Sequence, residues 1–122
     1  MKNAISVGLC EGRHKLPSDI KEYIFKGEIN PLNIKYLENK AFDRLWSIAY
    51  RNGWVVTDPA WNEYDEEPLL IDGTKFHINL YVTGLTVALV AVLNVCHNEG
   101  ISVTLMHFDR NSGKYYPQVV AM

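Results

Sequence analysis

Two cysteines in a chain of 122 residues cannot form the staple framework of a small disulfide-rich domain. Cys10 and Cys96 each sit in an apolar run, which predicts buried free thiols. No stretch is long enough to span a bilayer, since the most hydrophobic run, residues 85–95, reaches only about half the required length. Lys2 opens the chain without an apolar signal core behind it, because Gly8, Glu11 and Arg13 interrupt that stretch. A cytoplasmic protein without membrane contact is expected. Positive charge is scarce as well: the formal net charge of −2 runs against binding to duplex nucleic acid, which needs a basic stripe. His14, His77, His97 and His107 are scattered and no thiol pair has zinc spacing, so neither a metal nor another cofactor is expected. Walker loops, Gly-x-Gly-x-x-Gly and Gly-x-Ser-x-Gly are all missing.

What is present is the composition of an ordinary globular domain, 48% hydrophobic and 21% charged. The length suits one domain, residues 1–122, able to bury roughly two-thirds of its unfolded surface. Charge is unevenly spread. Asp58, Glu63, Asp65, Glu66, Glu67 and Asp72 fall in one base-free segment, so the rest of the chain is net positive and can meet an anionic small ligand.

Alternation and β-formers predict a first strand over residues 3–9, and Tyr23-Ile24-Phe25 reads as a short edge strand. Asn30 with Pro31 reads as a helix start. Leu37, Ala41, Leu45, Ile48 and Ala49 then recur at helical spacing before an Asn52-Gly53 stop. Trp54-Val55-Val56-Thr57 reads as a strand. Residues 58–74, with two prolines and six acids, read as a long loop. A strand over residues 76–82 puts Phe76, Ile78, Leu80 and Val82 on one face. Thr83-Gly84-Leu85-Thr86 breaks it, and residues 87–98 form a second, largely buried helix. A strand over 101–108, a turn at Asn111-Ser112-Gly113 and a last strand over 114–120 complete the chain. The expected fold is α/β and Rossmann-like: a mostly parallel sheet with helices packed on it and a C-terminal antiparallel hairpin.

Three places have residues suited to chemistry. At Thr83, Gly84, Leu85 and Thr86 a strand runs into a helix whose first amides lack partners, which favours a phosphate. Gly84 lets a ligand approach, and Thr83 and Thr86 add hydroxyls. The plain alternative is Thr86 as a helix cap, worth about 1 kcal/mol. The second place is the loop leaving the first strand, with Gly8 and Leu9 as contacts and Arg13, His14 and Lys15 as charge. An exposed basic turn explains it equally well. The third is His107, Asp109 and Arg110, where His and Asp share a face for proton transfer and Arg110 can pair with phosphate. Hairpin-turn chemistry is its alternative. Trp61 or Tyr64 on the long loop can stack on a base.

Residues 77–119 have a strand, Gly84-Leu85 with a following Ala88, an apolar helix, a strand, and a hairpin carrying Tyr115 to Val119. This layout resembles the small CRISPR-associated Rossmann-like proteins that bind cyclic oligoadenylate, stand-alone ring nucleases among them. The resemblance covers about a third of the chain. It implies a homodimer holding one symmetric cyclic oligonucleotide across its twofold axis. It also implies metal-free ring opening, with Arg13 or Arg110 stabilising charge and His14 or His107 assisting proton transfer. Two other readings use the same residues. One is a non-enzymatic protein that sequesters a nucleotide signal, and the other is a regulatory partner protein with no ligand.

Overall fold

Alternation along one strand sets the layers of this protein. Phe76, Ile78 and Leu80 are fully buried, whereas His77, Asn79 and Tyr81 between them are half-buried. The computed structural model describes residues 3–12, 16–27, 29–60 and 69–121, and the account below concerns those. They form β1 (Asn3–Cys10), β2 (Tyr23–Phe25), α1 (Ile34–Arg51), β3 (Val55–Thr57), β4 (Leu69–Ile71), β5 (Phe76–Tyr81), α2 (Thr86–Glu99), β6 (Ser102–Asp109) and β7 (Lys114–Val119). One turn of 3-10 helix, Gly73–Lys75, leads into β5.

The main sheet has the order β2-β1-β5-β6-β7. Its first three pairings are parallel, and β6 meets β7 antiparallel. The fold is therefore α/β with a mostly parallel sheet and a closing hairpin, as the sequence indicates. Val7, Leu9, Ile78, Leu80, Val103 and Leu105 join the buried residues of both helices in one apolar cluster. Each large aliphatic side chain so buried stabilises the fold by about 1.5–3 kcal/mol. No helix among the described residues is long and apolar enough to cross a membrane.

Two expectations about elements need correction. The strand after α1 does not enter the main sheet. Instead β3 pairs antiparallel with β4, and β4 lies inside the segment read as a loop. Leu69, Leu70 and Ile71 make that strand possible, and Ile71 is buried in the core. Its three residues are too few to show a period beside so many acids and prolines. The ribbon is tied to the end of α2 through Gly73, where a Cβ would come within 2.3 Å of the Glu99 carbonyl oxygen.

The second correction concerns helix starts. Asn33, not Asn30, caps α1, its side chain accepting from the Tyr36 amide at 3.1 Å. Asn30 instead forms a turn one step earlier, accepting from the Leu32 amide. The predicted inner stripe of α1 holds in full: Leu37, Ala41, Leu45, Ile48 and Ala49 are its buried residues. At α2 the cap is Leu85, whose extended backbone supplies no side-chain bond, and Thr86 is already helical.

Edges are short or blunted. β2 has three residues, and β7 carries Pro117 opposite Met106. The Met106 carbonyl accepts from Val82 on the β5 side, so the Met106–Pro117 pair is not hydrogen-bonded and the Pro117 nitrogen faces away from the sheet.

Two outcomes follow from these placements. Asn33→Ala should cost about 1 kcal/mol in urea unfolding, while Asn30→Ala and Thr86→Val cost a few tenths at most. Equal losses at all three would contradict the assigned caps. Burial pushes the Cys96 thiol from 9.0 up to about 12. Between those values the unfolded chain holds fewer protons, so stability should fall as pH rises through that window, by at most about 1.4 kcal/mol per pH unit. Cys96→Ala should flatten that part of the pH profile.

Candidate functional site

The carboxyl edge of the parallel strands is where α/β sheets gather ligands, and three of the proposed segments converge there. Their arrangement depends on Thr83. Its side chain is 1% exposed, and it is the one fully buried polar residue among those described. The hydroxyl donates to the Cys10 carbonyl at 2.8 Å and accepts from the Cys10 amide at 3.1 Å. Since Gly8 is the register partner of Tyr81, Cys10 lies level with Thr83, and the hydroxyl extends the β1–β5 pairing past the last strand residue of β5.

Thr83 is thus a bracket, not a phosphate contact. Leu9, 0% exposed, points into the core and offers a ligand nothing. Gly8 is also buried, with the Tyr23 ring over it: a Cβ there would come within 2.6 Å of that ring and 2.7 Å of Leu16. The close approach expected of a ligand is taken by the protein's own aromatic. Arg13 and His14 lie outside the described residues, as do Trp61 and Tyr64.

Beyond Thr83 the backbone turns through Gly84 at φ +92°, and both Gly84 and Thr86 are exposed. The first helical bond of α2 runs from the Leu89 amide to Leu85, so the amides of Thr86, Val87 and Ala88 precede the ladder. No side chain of the cap residue takes them. They carry the positive end of a helix of 14 residues.

Beside this turn, β6 outruns β5. Tyr81 pairs with Met106, and β6 continues to Asp109, so residues 107–109 stand about 10 Å proud of the β5 end. Leu105 is in the core with α2, and alternation puts His107 and Asp109 on that same side. His107 and Asp109 are not paired as a proton relay. His107 Nε2 meets Gln118 Oε1 at 2.7 Å, and the Tyr116 ring lies 5.4 Å away, tilted by 35°. Asp109 serves the hairpin: its carboxylate accepts from Asn111 N at 3.0 Å and its carbonyl from Gly113 N at 2.8 Å. Arg110 is exposed on that turn.

The structure therefore leaves Gly84, Leu85, Thr86, His107 and Arg110 at one edge of the sheet, and gives Gly8, Leu9 and Thr83 packing roles. It adds Tyr116, 52% exposed and the register partner of His107, and Gln118, which pairs with Leu105 and reaches His107 along the diagonal. Cross-strand pairing is the signal for them, and it becomes readable once the hairpin register is known. Among the described residues no cluster of three or more His, Cys, Asp or Glu is suited to a metal ion.

On the other face, Tyr81 packs edge to face on Tyr115 with centroids 4.8 Å apart, and Phe108 lies tilted against Tyr115 at 5.3 Å. The Tyr115 hydroxyl has no hydrogen-bond partner among the described residues. Desolvation, then the charges of Tyr81 and Tyr23, push its ionisation above the usual phenol range. At the opposite, amino end of β5, His77 is held by Ser102 at 2.6 Å and Thr104 at 3.0 Å.

No family model matches the chain, and neither the curated proteins nor the solved structures include a significant match.

Thr83→Val should cost about 1–3 kcal/mol in chemical unfolding, because it leaves buried Cys10 backbone groups without that hydroxyl. Thr83→Ser should recover most of the loss. A silent Thr83→Val would mean that the two strand ends are held by packing alone.

Proposed function

We propose that this chain binds a phosphate-bearing nucleotide of the cyclic oligonucleotide class at the carboxyl edge of its parallel strands. The observation that carries the reading is the uncapped start of α2 beside Gly84, on the same side of the sheet as the His107–Tyr116 pair. Amides at the positive end of a helix suit phosphate oxygens, and an exposed ring pair suits the face of a base. Arg110, on the projecting hairpin, adds a charged donor for a second phosphate oxygen. A cyclic ligand with twofold symmetry is matched by two copies of one chain, so the reading includes a homodimer. It also assigns the protein to the cytoplasm, where such a messenger would be met.

Within this reading, holding the ligand is favoured over cutting it. The one ring nitrogen of His107 that is engaged meets a neutral amide, and Asp109 is committed to its turn. An acid–base pair of the kind that accelerates phosphodiester cleavage is not assembled between them. Among the described residues, ring opening would rest on ligand bending and on Arg110.

A panel of cyclic oligonucleotides tested by thermal unfolding should include one that stabilises the protein by about 2.7 kcal/mol at a hundred times its dissociation constant. Arg110→Ala and His107→Ala should weaken that binding with far-UV circular dichroism unchanged. Chromatography after heat denaturation should return the ligand intact, whereas linear product would establish a ring nuclease. No shift with any nucleotide would defeat the reading.

A further inference from the structure

A second concave surface lies apart from the α2 edge, between the end of β2 and the flank of α1, and encloses about 350 Å³. Its floor is apolar, formed by Ile24, Phe25 and Ile29, the first two buried against the main core. Its walls carry Lys26, Lys40 and Arg44, with Asp43 as the one carboxylate among the described lining residues. Tyr36, Lys40, Arg44 and Ser47 follow one another at spacings of four, four and three along α1, so they form a single face of that helix. The Lys40 ammonium stands 5.6 Å from the centre of the Tyr36 ring.

Among the described lining residues three cations face one carboxylate, so this side of the concave, apolar-floored space is rich in positive charge. Lys40 and Arg44 are four apart on a helix, a like-charge spacing that works against helix stability. An anion between them removes that repulsion. Arg44 is half-buried, so its guanidinium is partly stripped of water and presents a planar fork to an oxyanion, while Lys26 and Lys40 act as mobile point charges. The Ser47 hydroxyl adds a donor. A bare phosphate would use only these groups. Tyr36, 45% exposed, offers a ring face, and Asp43 offers an acceptor for a hydroxyl or amino group. The volume is at the lower end of small-molecule sites.

We infer that this cleft is a second ligand site, for a phosphomonoester carried on a small ring system with hydrogen-bond donors, a nucleoside monophosphate being the representative case. Phosphate sits between Arg44 and the lysines, and the ring lies over the apolar floor against Tyr36. The site does not depend on the reading of the α2 edge.

Isothermal titration with adenosine 5′-monophosphate, adenosine and inorganic phosphate tests it on the intact chain. The nucleotide should bind saturably, phosphate more weakly, and adenosine weakest. Arg44→Gln with Lys40→Gln should weaken nucleotide binding by about a hundredfold, which is two tenfold steps. The fold should be retained, since both substitutions keep a helix-forming side chain and relieve a like-charge pair, and an unchanged far-UV circular dichroism spectrum checks this. Asp43→Asn should weaken the nucleotide while leaving inorganic phosphate unchanged or tighter. Arg110→Ala should change none of these values, which separates this cleft from the α2 edge. No saturable nucleotide binding at millimolar concentration overturns the proposal, as does binding that survives the double variant. Equal affinity for nucleotide and inorganic phosphate overturns the ring-bearing ligand.

Discussion

A single buried hydroxyl fixes the end of this sheet on which both strand–loop junctions depend. Thr83 both donates to and accepts from the Cys10 backbone, so the termini of β1 and β5 cannot drift apart without exposing a polar group to a dry environment. A threonine is well suited to this because its methyl group can join the apolar surroundings while its oxygen stands in for a missing backbone partner. Everything beyond it is positioned by consequence. Gly84 turns the chain at positive φ, Leu85 is extended, and α2 starts without a side-chain cap. Were Thr83 free to face solvent, as a ligand contact must, the turn would lose its anchor.

The same residue shows how sequence and structure divide the work. The run from Thr83 to Thr86 stands out as a strand-to-helix junction, and the structure has one there. Which hydroxyl faces inward depends on the strand opposite, and Cys10 lies 73 positions away. No local pattern carries that information. Leu9 and Gly8 fail as ligand contacts for a related reason: the first strand is buried to its very end, with Tyr23 covering the glycine. By contrast, the inner stripe of α1 and the alternating faces of β5 are legible because both are set by period alone.

Distance along the chain also explains what was not seen. β4 is three residues in an acidic stretch, below the length at which alternation speaks. The cleft lined by Lys26, Lys40 and Arg44 contains no motif, only cations at helical spacing brought opposite the end of β2. Its helical half consists of Tyr36, Lys40, Arg44 and Ser47, spaced four, four and three residues apart on one face of α1. Lys26 lies outside that helix, and only the packing of α1 on β2 brings it there.

Pro117 has a bearing on how copies of this chain can meet. With an imino nitrogen at the middle of the outer strand, a neighbour cannot zip onto β7 through an unbroken run of main-chain bonds. The opposite margin, β2, is too short to recruit a partner on its own. Any contact between copies at either margin of this sheet would therefore be carried by side chains and not by continued main-chain pairing.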